Sequence, residues 1–206
     1  QGRQYLEQQL DTILAQTVPV KILISDDGSD DGTREMLDNY AGWYPEQVVL
    51  HHRTEHTGGA AGNFFWLMQE ALKDEKNEYI LFSDQDDVWE NDKVSVMLHR
   101  MLYSDMEVVD EELYEISPSF ASYTHQDPDR SSFAELLVEN QVTGGASMIN
   151  RALLMRCAKA PEVCCMHDWW IALTASCFGI IEFMPRALSK YRQHGNNVLG
   201  AKDAGS

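Results

Sequence analysis

Helices and short apolar strands alternate along the first 82 residues, and this order constrains the fold more than any other feature of the sequence. Apolar residues recur at helical spacing over Tyr5–Gln16, and a short β-rich run follows at Lys21–Ser25. Strands are predicted again at Gln47–His51 and Tyr79–Phe82, each after a further helix. Strands separated by helices in this way pair in parallel through crossover connections. The sequence therefore predicts an α/β fold with a mostly parallel central sheet.

Two further helices are predicted between these strands. The first is expected to begin at a capping Ser29 or Asp30, since serine and aspartate favour the residue before a helix. Each of the two helices is amphipathic, as a helix that covers a sheet must be. The predicted inner faces are Met36, Leu37 and Tyr40 in the first helix, and Phe64, Leu67, Met68, Ala71 and Leu72 in the second.

Two irregularities depart from this order. A sheet of this kind normally opens with a strand, whereas this chain opens with a helix. The helix predicted at Val94–Met101 then runs into the strand-like Leu102–Ser104 without turn residues between them. We therefore expect that an amino-terminal first strand is missing from the sequence and that a loop is missing near residue 100.

Length and charge limit the classes of protein to consider. The 206 residues suit one α/β domain, which needs no disulfide to bury a core, so Cys157, Cys164, Cys165 and Cys177 are expected to be free thiols. The net charge of −17 repels nucleic-acid phosphates, and no nucleic-acid partner is expected. No apolar run is long enough to span a bilayer. The chain is therefore expected to be cytoplasmic, with peripheral contact at the inner face of the cell membrane left open.

One acidic cluster follows the predicted strand at Tyr79–Phe82, at the sheet edge where ligands of parallel sheets bind. Asp84, Asp86 and Asp87 are close enough in sequence to repel one another unless a cation holds them. Mg²⁺ or Mn²⁺ prefers carboxylate oxygens and commonly shares them with substrate phosphates. A solvated acidic turn is the alternative interpretation of this cluster.

A second acidic cluster, Asp26 and Asp27, precedes Gly28. A carboxylate beside a flexible glycine can accept a hydrogen bond from a nucleobase N–H or a ribose hydroxyl. The alternative is a helix N-terminus, where the helix dipole favours acidic residues and Asp30 or Asp31 would serve. Two acids that directly follow a strand and precede the helix cap favour the ligand interpretation.

Six short segments in a fixed order carry a specific resemblance. They are ILISDDGSDDGT, HTGGAAGNF, YILFSDQDDVW, VTGGASMINRALL, HDWW and YRQHGNNVLG. Together they resemble family 2 glycosyltransferases, most closely the rhamnosyltransferase-like bacterial branch, from Tyr5 to about Lys202. The resemblance implies one GT-A catalytic domain over 1–206. Its Rossmann-like, nucleotide-sugar-binding half would be 1–100, and its acceptor-binding half with the catalytic base would be 101–206.

The resemblance also implies roles for residues on the donor side. Asp27 would contact the nucleobase, with Asp26 beside it. Asp84 would contact the ribose or the metal, and Asp86 would be the principal metal ligand. His194 falls where related enzymes place a residue near the diphosphate or the metal, although a lone histidine is more often structural.

On the acceptor side, the resemblance assigns the general base to Asp168. A carboxylate is ionised at neutral pH and can take the proton of an acceptor hydroxyl, as an inverting transfer requires. Thr143, Gly144 and Gly145 fall where the family shapes the pocket for the acceptor and the donor sugar.

The residues that flank Asp168 allow two interpretations each. Trp169 or Trp170 would stack on a sugar in that pocket, or else pack in the core of a helix that begins near Trp169. His167 would orient Asp168, or else cap the same helix.

These observations predict an inverting glycosyltransferase that uses Mg²⁺ or Mn²⁺ and moves a sugar from a nucleoside diphosphate donor to a glycan or lipid-linked acceptor. The resemblance points to L-rhamnose from dTDP-rhamnose and to the synthesis of cell-surface polysaccharide. One rival is a nucleotidyltransferase that acts on sugar phosphates, which would release pyrophosphate. The other is a catalytically silent nucleotide-sugar-binding module, which would bind the donor without turnover.

Overall fold

The computed structural model of the chain describes residues 2–54, 59–98 and 103–194. Within these residues helices and strands alternate, and the predicted α/β class is confirmed. A one-turn 3₁₀ helix, Gly144–Ala146, precedes the seventh strand. The other elements in chain order are α1 (Arg3–Leu14), β1 (Ile22–Asp26), α2 (Thr33–Trp43), β2 (Val48–His52), α3 (Ala60–Leu72), β3 (Tyr79–Leu81), β4 (Val88–Trp89), α4 (Lys93–Leu98), β5 (Tyr103–Val109), β6 (Glu115–Ser117), α5 (Phe120–Thr124), α6 (Phe133–Leu136), β7 (Met148–Asn150), α7 (Arg151–Cys157), α8 (His167–Phe178) and β8 (Phe183–Arg192).

The first strands and helices lie within a few residues of their predicted positions, but the start of α2 differs. The helix begins at Thr33 after Gly32, whose φ of 86° is in the left-handed region that glycine adopts without strain. The carboxylate of Asp31 accepts the Thr33 N–H at 3.2 Å. The prediction that Ser29 or Asp30 caps this helix is therefore wrong. The alternative Asp31 supplies the acceptor, and Gly32 supplies the turn.

Strand pairing gives a mixed arrangement rather than a mostly parallel one. β1 pairs with β2 in parallel, with Ile22 opposite Val48, as a crossover through α2 requires. β3 pairs antiparallel with β7, and a four-stranded sheet has the order β4-β8-β5-β6. In that sheet β8 runs parallel to β5 and antiparallel to β4. The difference arises in the second half of the chain, where the sequence predicts no strand beyond residue 104.

The two predicted halves of the chain are joined by strand pairing. β3 and β4 belong to residues 1–100, and their partners β7 and β8 belong to residues 101–206. One hydrophobic core packs α1 and α2 against β1 and β2, and a second packs α3 against α7 and α8. The loop between β3 and β4 is consequently held next to elements of the second half.

A cleft of about 1080 Å³ lies between β1 and β3. Its walls come from α1, β1, α3 and β3 and include apolar side chains such as Leu10, Ile24, Leu67 and Ile80. Among the described strands, β1 pairs with β2 and β3 pairs with β7, and the two strands do not pair with each other. Each of them therefore has one edge with no strand partner in the described residues, and both strands line the cleft.

Three other expectations concern local features. The loop expected to be missing near residue 100 falls at residues 99–102, which lie outside the described residues. The four cysteines are free thiols, as predicted. No helix of the described residues has the length and apolar character needed to cross a membrane.

Candidate active site

Both acidic clusters border the cleft between β1 and β3. Asp26 ends β1 and Asp27 follows it, whereas Asp84 comes shortly after the end of β3. All three residues line the cleft. The fold thus brings the three nucleotide-binding candidates to the same end of the two strands.

Asp26 is engaged by its own turn. Its side chain is buried, and its carboxylate accepts the Ser29 N–H at 3.2 Å and the Nε–H of Arg34 at 2.6 Å. Burial alone would raise the pKa of Asp26, but the hydrogen bonds from Ser29 and Arg34 outweigh it and lower the pKa. Asp27, by contrast, is half-buried. Of the adjacent pair, Asp26 fixes the turn after β1, and Asp27 is the more accessible acid.

Asp86 and His194 form a close pair. The His194 Nε2 lies 2.8 Å from the Asp86 Oδ2, and both side chains are nearly buried. The ring of Tyr5 lies 5.1 Å from the His194 ring, which holds the imidazole from its other side. Two residues that are 108 positions apart are therefore brought together as potential ligands of one cation.

Arg192 anchors the loop that carries Asp86. Its side chain is buried, its Nε–H donates to the Asp86 carbonyl at 3.4 Å, and its guanidinium lies 4.4 Å from the centre of the Tyr5 ring. Its two terminal nitrogens donate to the Glu111 carbonyl and to the Gln8 side chain. Arg192 thus ties the acidic loop to α1 and to the turn after β5.

Asp84 and Asp87 carry the strongest electrostatic perturbation in the site. Burial, together with the charges of Asp86 and Asp168, raises the pKa of Asp84 to about 7. Burial and the charge of Asp84 raise the pKa of Asp87 well above its usual range. The ammonium of Lys93 opposes both shifts. The cluster is therefore poor in positive charge and favours the binding of a cation.

Asp168 lies in the first turn of α8 and faces the 3₁₀ turn. Its Oδ2 accepts the Gly144 N–H at 3.1 Å, and its Oδ1 accepts the N–H of Trp169 at 2.6 Å. Burial raises the pKa of Asp168, although both backbone hydrogen bonds lower it in part. A carboxylate that is held in one orientation and has a raised pKa is suited to accept a proton.

The glycines of the turn allow this close approach. A Cβ on Gly144 would lie 2.8 Å from the His167 Nε2 and 3.3 Å from the Asp168 Cβ. A Cβ on Gly145 would lie 2.5 Å from the Asp87 Oδ2. Thr143 adjoins them and is half-buried. The three predicted pocket residues thus lie between the base candidate and the acidic cluster.

His167 has neither of the two roles that the sequence left open. Its ring is buried and stacks on Phe64, with 4.0 Å between ring centres. Neither ring nitrogen has a hydrogen-bond partner in the described residues, and the residue before α8 is Met166. Burial lowers the pKa of His167 to about 4, so the ring is neutral at pH 7. It packs behind Asp168 rather than orienting it or capping the helix.

Both tryptophans use their indole N–H groups within the protein. The Trp169 Nε1–H donates to the Leu136 carbonyl at 2.5 Å, and the Trp170 Nε1–H donates to the Cys157 carbonyl at 3.0 Å. These bonds attach α8 to α6 and α7. Because both side chains are only half-buried, stacking of either ring on a sugar stays a prediction.

The sequence analysis missed Lys93. A single lysine at the start of a short helix is typical of a solvated surface, and no spacing connects it with the acidic cluster. In the fold its side chain is fully buried, and its Nζ–H donates to the Gly145 carbonyl at 2.8 Å. Lys93 follows the acidic loop closely in the sequence, but this position indicates a contact with the site only when the fold of the loop is known.

The donor set fits a divalent cation that also binds a substrate. Asp86 and His194 would hold it, with Asp84 on the same loop. Within residues 2–54, 59–98 and 103–194, no three histidine, cysteine or acidic side chains converge closely enough to form a complete metal site. A partial protein shell is usual for a cation that shares phosphate oxygens with a nucleotide.

Comparison with known proteins identifies the family. The model of glycosyl transferase family 2 matches residues 2–168. The dTDP-rhamnosyl transferase RfbG of Shigella flexneri is 28% identical over 97% of this chain and 72% of its own length. The chain belongs to glycosyl transferase family 2, and the predicted enzyme class, glycosyltransferase, is confirmed at the level of the family.

Solved structures confirm the predicted GT-A fold. Residues 1–349 of TarS from S. aureus, in complex with UDP-GlcNAc, match with a TM-score of 0.69 at 14% identity, over 95% of this chain and 57% of that chain. The mannosyltransferase PcManGT from Pyrobaculum calidifontis, in complex with GDP-Man and Mn²⁺, matches with a TM-score of 0.62 at 19% identity, over 96% and 55%. The chain spans little more than half the length of these two structures, and at these identities the likeness shows the fold alone.

Replacing Asp84 by asparagine tests the buried charge. Its folded-state pKa of about 7 lies above the value of about 4 expected in the unfolded chain, so the folded state binds the proton more tightly. The stability from this group is fully present below about pH 4 and is lost as the pH rises through about 7. Without divalent cations, we expect Asp84→Asn to be more stable than the parent at pH 8, by the order of 1–4 kcal/mol, in urea unfolding.

The difference in stability between Asp84→Asn and the parent should shrink as the pH falls from 8 to 5. Asp129→Asn is the matched control, since it removes the same charge from an exposed loop and should change stability little at either pH. Equal stability of parent and Asp84→Asn at pH 8 would show that the charge of Asp84 is not destabilising.

Proposed function

We propose that this chain transfers a sugar from a nucleoside diphosphate donor to a hydroxyl group of a glycan or lipid-linked acceptor, with inversion at the anomeric carbon. One observation carries the proposal: the Gly144–Gly145 turn contacts both the base candidate and the acidic loop, since the Gly144 N–H donates to the Asp168 Oδ2 at 3.1 Å and a Cβ on Gly145 would lie 3.6 Å from the Asp84 Oδ2. The base candidate and the loop that carries the metal-ligand candidate Asp86 therefore meet at one turn. Transfer from a metal-bound diphosphate requires that proximity.

On the donor side, each acidic residue has a separate role in this proposal. Asp27 accepts a hydrogen bond from the nucleobase, and Asp26 keeps the turn beside it in place. Asp86 and His194 would hold Mg²⁺ or Mn²⁺, and a cation bound there would stabilise the charge of the leaving group. Asp84 contacts the ribose or the same cation. The Mn²⁺ in the PcManGT structure supports the choice of metal.

In the transfer step, the acceptor oxygen attacks the anomeric carbon from the side opposite the diphosphate. The bond between that carbon and the diphosphate oxygen breaks, and the nucleoside diphosphate leaves with the electron pair. The hydroxyl proton passes to a carboxylate oxygen of Asp168. Burial strengthens Asp168 as a base by raising its pKa, and the Gly144 N–H keeps the carboxylate oriented.

The sugar pocket is expected on the same side as Asp168. Thr143, Gly144 and Gly145 would leave room beside the base for the donor sugar and the acceptor. The half-buried faces of Trp169 and Trp170 would stack on a sugar ring.

The likeness to the dTDP-rhamnosyl transferase RfbG favours dTDP-rhamnose as the donor, and the resemblance of the six sequence segments to the rhamnosyltransferase-like branch points to cell-surface polysaccharide as the product. The TarS and PcManGT structures contain different donors, UDP-GlcNAc and GDP-Man, so the fold by itself does not select the sugar. The acceptor would be a glycan on a lipid carrier at the cytoplasmic face of the membrane. A thermal-shift panel of nucleotide sugars with Mn²⁺ tests the donor, because a ligand at 100 times its Kd stabilises by about 2.7 kcal/mol.

One assay of the released product distinguishes the proposed function from its two rivals. Release of nucleoside diphosphate from the donor supports glycosyl transfer, whereas release of pyrophosphate from a nucleoside triphosphate and a sugar phosphate supports a nucleotidyltransferase. Donor binding without release of either product supports a silent binding module.

We also propose that the cleft between β1 and β3 receives one further β-strand on the amino-terminal side of α1. The facing edges of β1 and β3 have no strand partner in the described residues, so a strand placed in the cleft between them could extend either ladder. Gly2 lies at the ligand end of the cleft, since its N–H donates to the Thr33 hydroxyl at 3.3 Å and a Cβ on it would meet the Gln85 side chain. A strand that leads into Gly2 would therefore run parallel to β1 and end beside Asp27 and Asp84.

Replacing Asp168 by asparagine separates chemistry from binding. Asparagine keeps the size of the side chain but lacks a basic lone pair. We expect kcat to fall by about 10²–10⁴-fold while the affinity for donor and metal changes little. Asp74→Asn is the control, because Asp74 also accepts a backbone N–H, that of Lys76, but lies before β3. A near-parental kcat in Asp168→Asn would remove Asp168 as the base.

Replacing Asp86 by alanine tests the metal site. We expect the Mn²⁺-dependent part of nucleoside diphosphate binding to weaken at least about 100-fold, or about 2.7 kcal/mol, in calorimetric titrations with and without Mn²⁺. His194→Ala should weaken it in the same direction. Asp92→Asn, which removes an acid paired with Arg186, should bind as the parent does. Unchanged Mn²⁺ dependence in Asp86→Ala would place the cation elsewhere.

Extending the chain tests the added strand. A β-branched segment of about seven residues, joined before Gln1 through a short turn, should pair with β1 and β3 and cover their apolar side chains. We expect the melting temperature to rise by more than about 4 °C, which corresponds to about 1–2 kcal/mol for a chain of this size. The control carries proline at two central strand positions, which removes ladder donors. Equal melting temperatures for the two extensions would contradict the proposal.

A further inference from the structure

Lys93 is a fully buried cation behind the candidate site. It is the first residue of α4, and its side chain has no exposed area. The Nζ–H groups donate to the Gly145 carbonyl at 2.8 Å and to the Ser189 hydroxyl at 3.3 Å. The Nζ also lies 4.3 Å from the centre of the Trp89 ring. A lysine is rarely buried to this extent unless opposite charges accompany it.

The opposite charges here belong to two carboxylates of the acidic loop. The charges of Asp87 and Asp84 act on Lys93. Gly145 accepts the lysine N–H with its carbonyl and also packs on both acids. A Cβ on Gly145 would lie 2.5 Å from the Asp87 Oδ2 and 3.6 Å from the Asp84 Oδ2. Lys93 therefore donates a hydrogen bond to the 3₁₀ turn that packs on these acids, and its charge attracts them without a direct salt bridge in the described residues.

The same turn holds the base candidate. Gly144 precedes Gly145, and its N–H donates to the Asp168 Oδ2 at 3.1 Å. A continuous series of contacts thus leads from Lys93 through the Gly145 carbonyl and the Gly144 N–H to Asp168. The side chain of Lys93 touches neither cleft nor solvent, so it acts on substrate only through these neighbours.

We propose that Lys93 is a positioning residue for sugar transfer. Its ammonium attracts the acidic loop by charge and holds the Gly144–Gly145 turn by a hydrogen bond. Together these two interactions fix the separation between the donor-side acids and Asp168. This inference rests on the proposed function, because it assigns Lys93 to the geometry of that reaction. A cation with a purely structural role would stabilise the fold without setting that separation.

The test compares Lys93→Met with Met97→Ala. Lys93→Met keeps the length of the side chain and removes the charge and the donors. Met97→Ala removes buried volume from the same helix and provides a variant of lowered stability that keeps Lys93 and the acids. Lys93→Arg retains the cation, and Asp87→Asn combined with Lys93→Met retains the charge balance if the single methionine variant fails to fold.

The first readout is kinetic. We expect kcat of Lys93→Met, per folded molecule, to fall about 10- to 100-fold, while Met97→Ala keeps the parental kcat despite a lower melting temperature. Lys93→Arg should recover part of the loss. Parental kcat in Lys93→Met, or an equal loss in Met97→Ala, would overturn the inference.

The second readout is independent of turnover. Hydrogen exchange of the Gly144 amide, relative to amides of α3, should accelerate at least about tenfold in Lys93→Met and stay parental in Met97→Ala. If the parent proves inactive with every donor, the proposed function fails, and this exchange result still decides whether Lys93 holds the turn. Unchanged exchange at Gly144 would show that Lys93 does not position it.

Discussion

Burial of like charges after β3 is the constraint on which the rest of the site depends. Burial raises the pKa of both Asp84 and Asp87, and neighbouring carboxylates raise it further: Asp86 and Asp168 act on Asp84, and Asp84 acts on Asp87. Two basic side chains lie beside the loop: Lys93 at the start of α4, which donates to the Gly145 carbonyl, and His194 after β8, which pairs with Asp86. Substrate binding would complete this balance of charge, because a divalent cation brings the positive charge that the cluster lacks. In a site of this kind, repulsion between buried carboxylates lowers the stability of the free protein and raises its affinity for a cation.

The second constraint is spatial. The acidic loop and the amino-terminal turn of α8 come from the two halves of the chain, and both pack on the 3₁₀ turn between them. Side chains at Gly144 or Gly145 would collide with His167 or with Asp87, so only glycine permits this approach. Strand pairing of β3 with β7 and of β4 with β8 supports the contact, because it holds both halves in one framework. The neutral ring of His167 then fills the space behind Asp168 and adds no charge to a crowded site.

Burial also separates residues that look equivalent in the sequence. Asp26 and Asp27 are adjacent acids after one strand, yet Asp26 is buried under Ser29 and Arg34 and holds its turn, while Asp27 is half-buried at the cleft. Asp86 and Asp87 are both buried and differ instead in their contacts, since Asp86 meets His194 and Asp87 faces Gly145. The turns after β1 and β3 therefore give the two members of each acidic pair different neighbours.

The sequence by itself determined the α/β class, the first strands and helices and the two acidic loops. These features depend on periodicity and on residue chemistry within a few positions, which a linear pattern records, whereas Asp168 was singled out only by the family resemblance. Tertiary structure alone decided the mixed strand pairing, the packing of His167 and the burial of Lys93 under Gly145. Each of these depends on contacts between residues that are tens of positions apart, and the free energy of a buried charge or ring is set by those partners rather than by the local sequence.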